Sequence, residues 1–368
     1  MASSYRIFKV FGISIELHIT FLFFLVLLLL FDITSLFLWL MVFMIVLIHE
    51  LVHSLVAIGF KIKVPSILLT PIGGLSNIDV PEDPKKEFLI SFAGPFSNIV
   101  MAFTTFLLMY LAGTGLLSYN QFFQVFENGK ANFLDPAYIL SGFIWLNLTL
   151  GLFNLLPGFP MDGGRVFRAL MAFWMDYITA TQVAVQVGKI IAALVFLLGL
   201  GALGIFTGSY AINPLTMLIG VFLFFSGGQE LQMLKIRHAL EGMAVRDLAI
   251  PNMRYANESM TLQDFIDNVA SLDQDHYPVT DVTGKVTGVL HLEDLRDIRK
   301  ADVRRINVGT AARRSIDVID AATKTADKLP VLLSKDFVLV VDSGNVIGYI
   351  TPAHLLDVAR FSTIRKRN

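Results

Sequence analysis

The sequence predicts a polytopic α-helical membrane protein of about six transmembrane helices, followed by a soluble α/β module. Three observations predict it. The 368 residues are 55% apolar and only 16% charged, where a soluble domain carries about 25% charged residues. The charge is unevenly split: residues 1–234 hold 10 Lys/Arg and 12 Asp/Glu, and residues 235–368 hold 19 and 18. The first part also contains apolar runs of the length, about 20 residues, that crosses a hydrocarbon core. A domain boundary is therefore expected at 234/235. The formal net charge of −1 gives no reason to expect a nucleic-acid partner. With no cysteine, disulfides, thiolate metal sites and a cysteine nucleophile are excluded.

Residues 1–10 carry Arg6 and Lys9 ahead of an apolar run that ends at Phe31-Asp32-Ile33-Thr34. No small-residue cleavage site follows, so the run reads as a retained first helix, not a signal peptide. The expected spans are 15–31, 36–60, 88–113, 137–157, 178–206 and 210–230. Internal charges are few: Glu16, Glu50 and Lys189. Lys189 must snorkel or reach polar groups of the bundle. Orientation follows from Lys and Arg in short loops. Arg6, Lys9, Lys61, Lys63, Lys85, Lys86, Arg165, Arg168, Lys235 and Arg237 fall on one set of faces, and Lys130 alone falls on the other. That places both the N-terminus and the C-terminal domain in the cytoplasm, as an even number of spans requires.

Inside the second span, residues 49–53 read His49-Glu50-Leu51-Val52-His53. Positions i and i+4 of a helix share a face, so two imidazoles at this spacing can grip one metal ion. The glutamate between them can act as general base on a metal-bound water. The pattern arises by chance about 0.003 times in a chain of this composition. Two histidines and a glutamate in an apolar span are also costly unless they are used.

A catalytic zinc site needs three protein ligands and an open position. His18 is the only other histidine of the membrane part, and its carboxylates include Glu16, Asp32, Asp79, Asp135, Asp162 and Asp176. His49 and His53 lie near the cytoplasmic end of their span, whereas Asp32 and Asp135 belong to the opposite face. Asp162 follows the fourth span on the cytoplasmic side. It sits in Asn154-Leu155-Leu156-Pro157-Gly158-Phe159-Pro160-Met161-Asp162-Gly163-Gly164-Arg165, whose prolines and glycines break the helix. Such backbone at membrane depth must be buried in protein or line a wet cavity. Asp162 can point back at the metal from this break; the plainer alternative is a helix cap at the membrane surface.

His49–His53 together with Asn154–Gly163 resembles the site-2 protease family of intramembrane zinc metalloproteases. The resemblance implies one Zn2+ held by His49, His53 and Asp162, with Glu50 as catalytic base. It implies Asn154 as a group that positions substrate or steadies the oxyanion. It also implies a lateral gate formed by the first and last helices. Ile67–Gly74 reads as a short strand and turn whose edge can pair with an extended substrate, or as a structural hairpin. Gly94 and Pro95 read as packing and kink residues, and the resemblance places a polar residue such as Asn98 near the site.

The soluble part is a tandem repeat. Gly284 and Gly344, Gly288 and Gly348, and Leu295 and Leu355 each recur at an interval of 60. Each aligned stretch reads strand, glycine turn, strand, helix, so two like modules are expected, at about 242–300 and 306–360. The pattern resembles paired cystathionine-β-synthase (CBS) domains. That resemblance implies an adenine nucleotide whose phosphate and ribose meet a Ser/Thr and an Asp three residues on. Here each repeat keeps half the pair: His291 with Asp294, and Thr351 with His354. Asp294 and Thr351 are thus the candidate nucleotide contacts, with a homodimerising pair as the alternative. Arg304, Arg305, Arg313 and Arg314 read as a solvated face or a phosphate patch.

The reading is an intramembrane zinc endopeptidase that cleaves the transmembrane segment of another membrane protein within the lipid bilayer, with a cytosolic CBS pair regulating or dimerising it. Two rivals are a CBS-gated metal transporter and an inactive membrane scaffold. Transporters tend to carry repeats among their spans, and none is visible here. A scaffold would lack Glu50 or a ligand.

Overall fold

The computed structural model describes residues 4–365 apart from 72, 77, 79, 128–132, 203–211, 272 and 297. Lys130 and Asp79, used above, lie outside the described residues. The chain divides into two compact units, 1–232 and 233–368.

The first unit opens with a sheet, not a helix. Strands β1 (Ser4–Val10) and β2 (Ile13–His18) pair antiparallel, and β2 pairs parallel with β3 (Ser66–Thr70). Strand β4 (Gly73–Ser76) completes the order β1-β2-β3-β4 as an edge. Ile13, Ile15, Leu17, Ile67 and Leu69 alternate into one apolar core with Phe43, Val46 and Ala57, the period-two pattern of a strand. This corrects the expected span 15–31. Its first four residues belong to β2, and helix α1 is only Ile19–Phe31. At 1.5 Å per residue these 13 residues reach about 20 Å, short of a hydrocarbon core. The alternation at 13–17 was masked by the apolar run that follows it.

Among the described residues, five helices are long and apolar enough to cross a membrane: α2 (Ile33–Gly59), α3 (Pro84–Leu111), α5 (Pro136–Asn154), α7 (Tyr177–Gly199) and α8 (Pro214–Ala239). The short helices α4 (Tyr119–Glu127) and α6 (Asp162–Met171) lie between them. Four of the long helices start on an aspartate. Asp32, Asp83, Asp135 and Asp176 each accept a hydrogen bond from a first-turn backbone N–H, satisfying donors that an apolar surrounding would orphan. Pro84 and Pro136 occupy the first helical position, where a missing N–H costs nothing. Helix α3 packs on α2, α5 and α6 and forms the centre of the unit.

Lys189 on α7 lies with its Nζ 5.3 Å from the centre of the Phe224 ring. It thus meets an aromatic face on α8, an attraction that strengthens with desolvation.

The second unit contains the expected repeat. In one half β5 (Ala256–Asn257) pairs parallel with β6 (His276–Thr280), which pairs antiparallel with β7 (Val286–His291). In the other, β8 (Val318–Asp320), β9 (Val338–Asp342) and β10 (Asn345–Ile350) repeat the same pairing. Gly284 and Gly344 turn the two hairpins with φ of +84° and +86°, a region open to glycine at no steric cost. The halves exchange backbone pairs reciprocally: Val289 with Arg313, and Tyr349 with Ile250. A Cβ on Gly288 would lie 2.9 Å from the Arg313 carbonyl, and one on Gly348 2.6 Å from that of Ile250. The two glycines that revealed the repeat in the sequence are therefore the points where each half lets the other's backbone approach.

Candidate metal centre

Helix α2 carries His49 and His53 on one face, 3% and 5% exposed. Asp162 arrives from the first residue of α6, across the break that follows α5. The three ligand atoms form a nearly equilateral triangle. His49 Nε2 lies 3.0 Å from Asp162 Oδ2, His53 Nε2 lies 3.1 Å from the same oxygen, and the two Nε2 atoms are 3.1 Å apart. Ligands of one tetrahedral zinc ion, at 2.0–2.1 Å, lie about 3.3 Å from each other. The observed separations fall slightly inside that spacing.

Hydrogen bonding fixes what the triangle needs. His53 Nδ1 sits 2.6 Å from the Ile90 carbonyl oxygen. A carbonyl only accepts, so Nδ1 carries the proton, and in the neutral ring Nε2 is then a bare lone pair. That lone pair faces a carboxylate oxygen and a second imidazole nitrogen. A cation among the three atoms satisfies all of them at once, whereas a proton on His49 Nε2 bridges only one pair. A histidine that donates its second N–H to a backbone carbonyl is also the usual outer arrangement of a metal ligand. The donor set, two imidazoles and one carboxylate, suits zinc. Among the described residues it is the one group of three or more His, Asp or Glu whose ligand atoms converge within 4.8 Å.

Backbone shape makes room for it. A Cβ at Gly94 on α3 would overlap His53 Nε2 and lie 2.8 Å from His49 Cε1. Gly94 was expected to be a packing residue, and it is one, but what it packs against is the pair of imidazoles. A Cβ at Gly163 would overlap the backbone of Leu155 and Leu156, and one at Gly164 would lie 2.6 Å from the Gly158 carbonyl carbon. The first turn of α6 is therefore pressed onto the preceding break. Across that break, Gly158 and Gly188 meet without side chains.

Glu50 and His53 line a cleft of about 180 Å3 together with Gly74, Leu75 and Ser76 of β4, Ser91 of α3, and Asp162 and Arg165 of α6. The edge strand thus runs beside the glutamate; a Cβ on Gly74 would lie 2.6 Å from Glu50 Cγ. Asn154 is half-buried at the end of α5 and is not among the residues lining this cleft. His18 caps α1, taking the Thr20 N–H, and Glu16 accepts the Ser4 hydroxyl at 2.9 Å, so both alternative ligands are engaged elsewhere. Sequence reasoning treated Gly74 as part of a turn and Arg165 as a loop charge, and it passed over Ser91. Asn98, one turn beyond Gly94, is fully buried with both amide atoms lacking a partner among the described residues.

In the second unit the candidate nucleotide contacts are occupied by their own neighbours. Arg313 forks onto Asp294 with contacts of 2.8 and 2.5 Å, and this ion pair holds the guanidinium above its ordinary pKa. Thr351 Oγ1 accepts the His354 N–H at 3.3 Å, at the start of the helix Pro352–Arg365. His291 stacks edge-on against His276, 4.3 Å away.

An apolar helical domain holding a His-His-carboxylate cluster with an adjacent glutamate is the constitution of a membrane-embedded zinc peptidase, and the chain belongs to peptidase family M50, the site-2 proteases. The model of that family matches residues 37–198, and the CBS-domain model matches residues 245–301. The chain is 32% identical to a zinc metalloprotease of Methanocaldococcus jannaschii over 362 residues, 97% of this chain and 96% of that one. It is 30% identical to Rip3 of Mycobacterium tuberculosis over 331 residues, 85% of this chain and 78% of that one. Among solved structures it is similar to the site-2 protease from Methanocaldococcus jannaschii: 32% identity, 62% of this chain and 95% of that one, TM-score 0.42. The protein is accordingly a zinc metalloendopeptidase with a CBS module, and its family is embedded in membranes.

Proposed function

We propose that this protein cleaves the transmembrane segment of another membrane protein, using zinc held by His49, His53 and Asp162 and Glu50 as the general base. The observation that carries the reading is the 3.0–3.1 Å triangle of ligand atoms beside a glutamate-lined cleft. A zinc ion there supplies a Lewis acid that polarises the scissile carbonyl and lowers the pKa of water. Glu50 takes the proton from the attacking water and delivers it to the leaving amine. The Ile90 carbonyl holds His53 in one tautomer. Gly94 keeps the opposite wall close enough to exclude bulk water from the imidazoles. A transmembrane helix hides its carbonyls in i→i−4 bonds, so the substrate unwinds before it is cut, and the free edge of β4 offers it backbone partners. Asn154 orients the substrate or its oxyanion from the end of α5.

In this reading both termini are cytoplasmic, as the Lys/Arg distribution argues. The CBS pair binds an adenine nucleotide through Asp294 and Thr351 and biases the protease, or pairs two copies. A nucleotide that regulates must bind two states of the enzyme unequally. At the Asp294 site, Arg313 supplies a cation within reach of a phosphate.

The test is cleavage in a bilayer. The full chain is reconstituted into lipid vesicles with a single-span membrane protein. Cutting inside the span is expected, lost on chelation and restored by zinc. Hydrolysis confined to soluble peptides would overturn the reading.

A further inference from the structure

A second buried polar cluster lies on the other side of α6 from the metal site. Arg168, 5% exposed, sends its Nε to Glu87 Oε1 at 3.0 Å, and its Nη2 bonds the same oxygen. Glu87, on the first turn of α3, is fully buried, and its other oxygen accepts the Tyr177 hydroxyl at 2.7 Å. The third arm of the guanidinium, Nη1, donates to Glu230 Oε1 on α8 at 3.1 Å. The rings of Phe159 and Tyr177 each lie 4.9 Å from the guanidinium carbon. One side chain thereby joins α6 to α3, α7, α8 and the break that precedes Asp162.

Burying such a set is a poor way to gain stability, because desolvation offsets most of the Coulombic attraction. What the set adds is direction. A guanidinium is a rigid planar fork, and its three nitrogens are held by two other helices, Nε and Nη2 by Glu87 of α3 and Nη1 by Glu230 of α8. A helix seated by apolar contact can rotate by some degrees; one held by such a fork cannot without breaking a buried charged bond. Helix α6 is 10 residues long and carries Asp162 at its first position and Arg168 less than two turns later. Its rotation decides where Asp162 Oδ2 points.

The arms differ in a way that bears on control. Glu87 is wholly enclosed, while the Glu230 side chain is 34% exposed. Helix α8, which carries Glu230, continues to Ala239. Its Ile236 and Ala239 pack into the core of the second unit. Glu230 is thus the more readily released arm.

We propose that Arg168 is a positioning residue for the zinc site, a clamp that sets the rotation of α6 and hence of Asp162, with Glu230 as its adjustable arm. A shift of α8 that draws Glu230 away relaxes α6 and lowers both metal affinity and turnover. The proposal rests on Asp162 being a zinc ligand. A neutral isostere at Glu230 leaves the ligand triangle and Glu50 untouched, yet must be felt at the metal.

The experiment is Glu230→Gln and Arg168→Lys in the full-length protein in detergent, loaded with Co2+ in place of zinc, with Asp162→Ala in parallel. For Glu230→Gln we expect a changed visible cobalt spectrum, cobalt affinity weaker by about tenfold, the low end of outer-shell effects, and lower kcat with little change in KM. Arg168→Lys has the larger effect in the same direction. The double variant is no worse than Arg168→Lys alone, because the two act as one unit. Glu230→Gln that lowers only the melting temperature, with spectrum, affinity and kcat unchanged, would overturn the clamp. Should Arg168→Lys not fold, Glu230→Gln alone decides. If Asp162→Ala keeps its cobalt, the ligand assignment fails instead, whatever Glu230 does.

Discussion

His49, His53 and Asp162 in the first unit, and Asp294 and Thr351 in the second, stand in opposite relation to their surroundings. The first three converge, with their ligand atoms 3.0–3.1 Å apart, while His53 gives its Nδ1 proton to the Ile90 carbonyl. The other two have partners already: Asp294 is forked by Arg313, and Thr351 caps a helix. Burial makes the difference. In an apolar helical domain a polar residue without a use is expensive, so each one is informative. On a water-facing module the same residue types are cheap and have several ordinary employments. The candidate metal centre therefore identifies itself by convergence of its ligand atoms, whereas a nucleotide would have to compete with partners already in place.

Removing a ligand should break this contrast most severely. Asp162→Ala is expected to lose zinc by more than the 10–100-fold that an outer-shell change costs, with the helices intact. Metal analysis after dialysis reads it; full zinc with full activity would return Glu16 and His18 to consideration. Closing the space beside the imidazoles comes next. Gly94→Ala places a carbon onto His53 Nε2. Overpacking of this kind costs about 1–3 kcal/mol, here felt as weaker zinc binding together with a lower melting temperature. A variant with wild-type metal affinity would show that the wall is not needed.

The second region gives smaller effects. Titration calorimetry of the full chain with ATP, ADP and AMP is expected to detect binding, and Asp294→Ala to weaken it about tenfold, the scale of one hydrogen bond to a charged group. Absence of heat with all three would leave the module to dimerisation. Smallest is a pH effect. Burial holds His276 below its ordinary pKa, with Arg313 adding to the shift and Asp275, Asp336 and Glu293 opposing it. Burial likewise lowers His291, reinforced by His276 and Arg313 and opposed by Asp294 and Asp336. The unfolded chain then takes up protons first as pH falls below about 6.5, so stability of this unit declines from there towards the lower folded values. Melting curves at pH 7.5 and 5.5 should show the decline, and His276→Phe, which keeps a ring against Phe337, should flatten it. An unchanged slope would remove His276 from the account.

The sequence carried the site better than the fold around it. His49 and His53 were legible because helical spacing converts directly into a shared face, and Asp162 because a glycine-proline break cannot stand idle at membrane depth. The 60-residue interval of Gly284/Gly344 and Gly288/Gly348 was legible for a similar reason: the first pair needs a positive φ and the second the absence of a Cβ, both of which glycine supplies. Residues 13–18 were not, since a buried strand leading straight into an apolar helix leaves no boundary in hydropathy. Gly94 and the Arg168–Glu87–Glu230 cluster were hidden differently. Their meaning lies in partners up to 90 residues away (Tyr177 from Glu87), and no local pattern reports those.

The most direct test of the account pairs metal content with cleavage for Glu50→Gln. Glu50 lies between the two histidines, lines the cleft and contributes no atom to the ligand triangle. The purified variant, in vesicles with a single-span substrate, should keep one zinc per chain and cleave slower by a factor of about 10²–10⁴, the range for loss of a general base. Near wild-type turnover with zinc retained would contradict the assignment of Glu50.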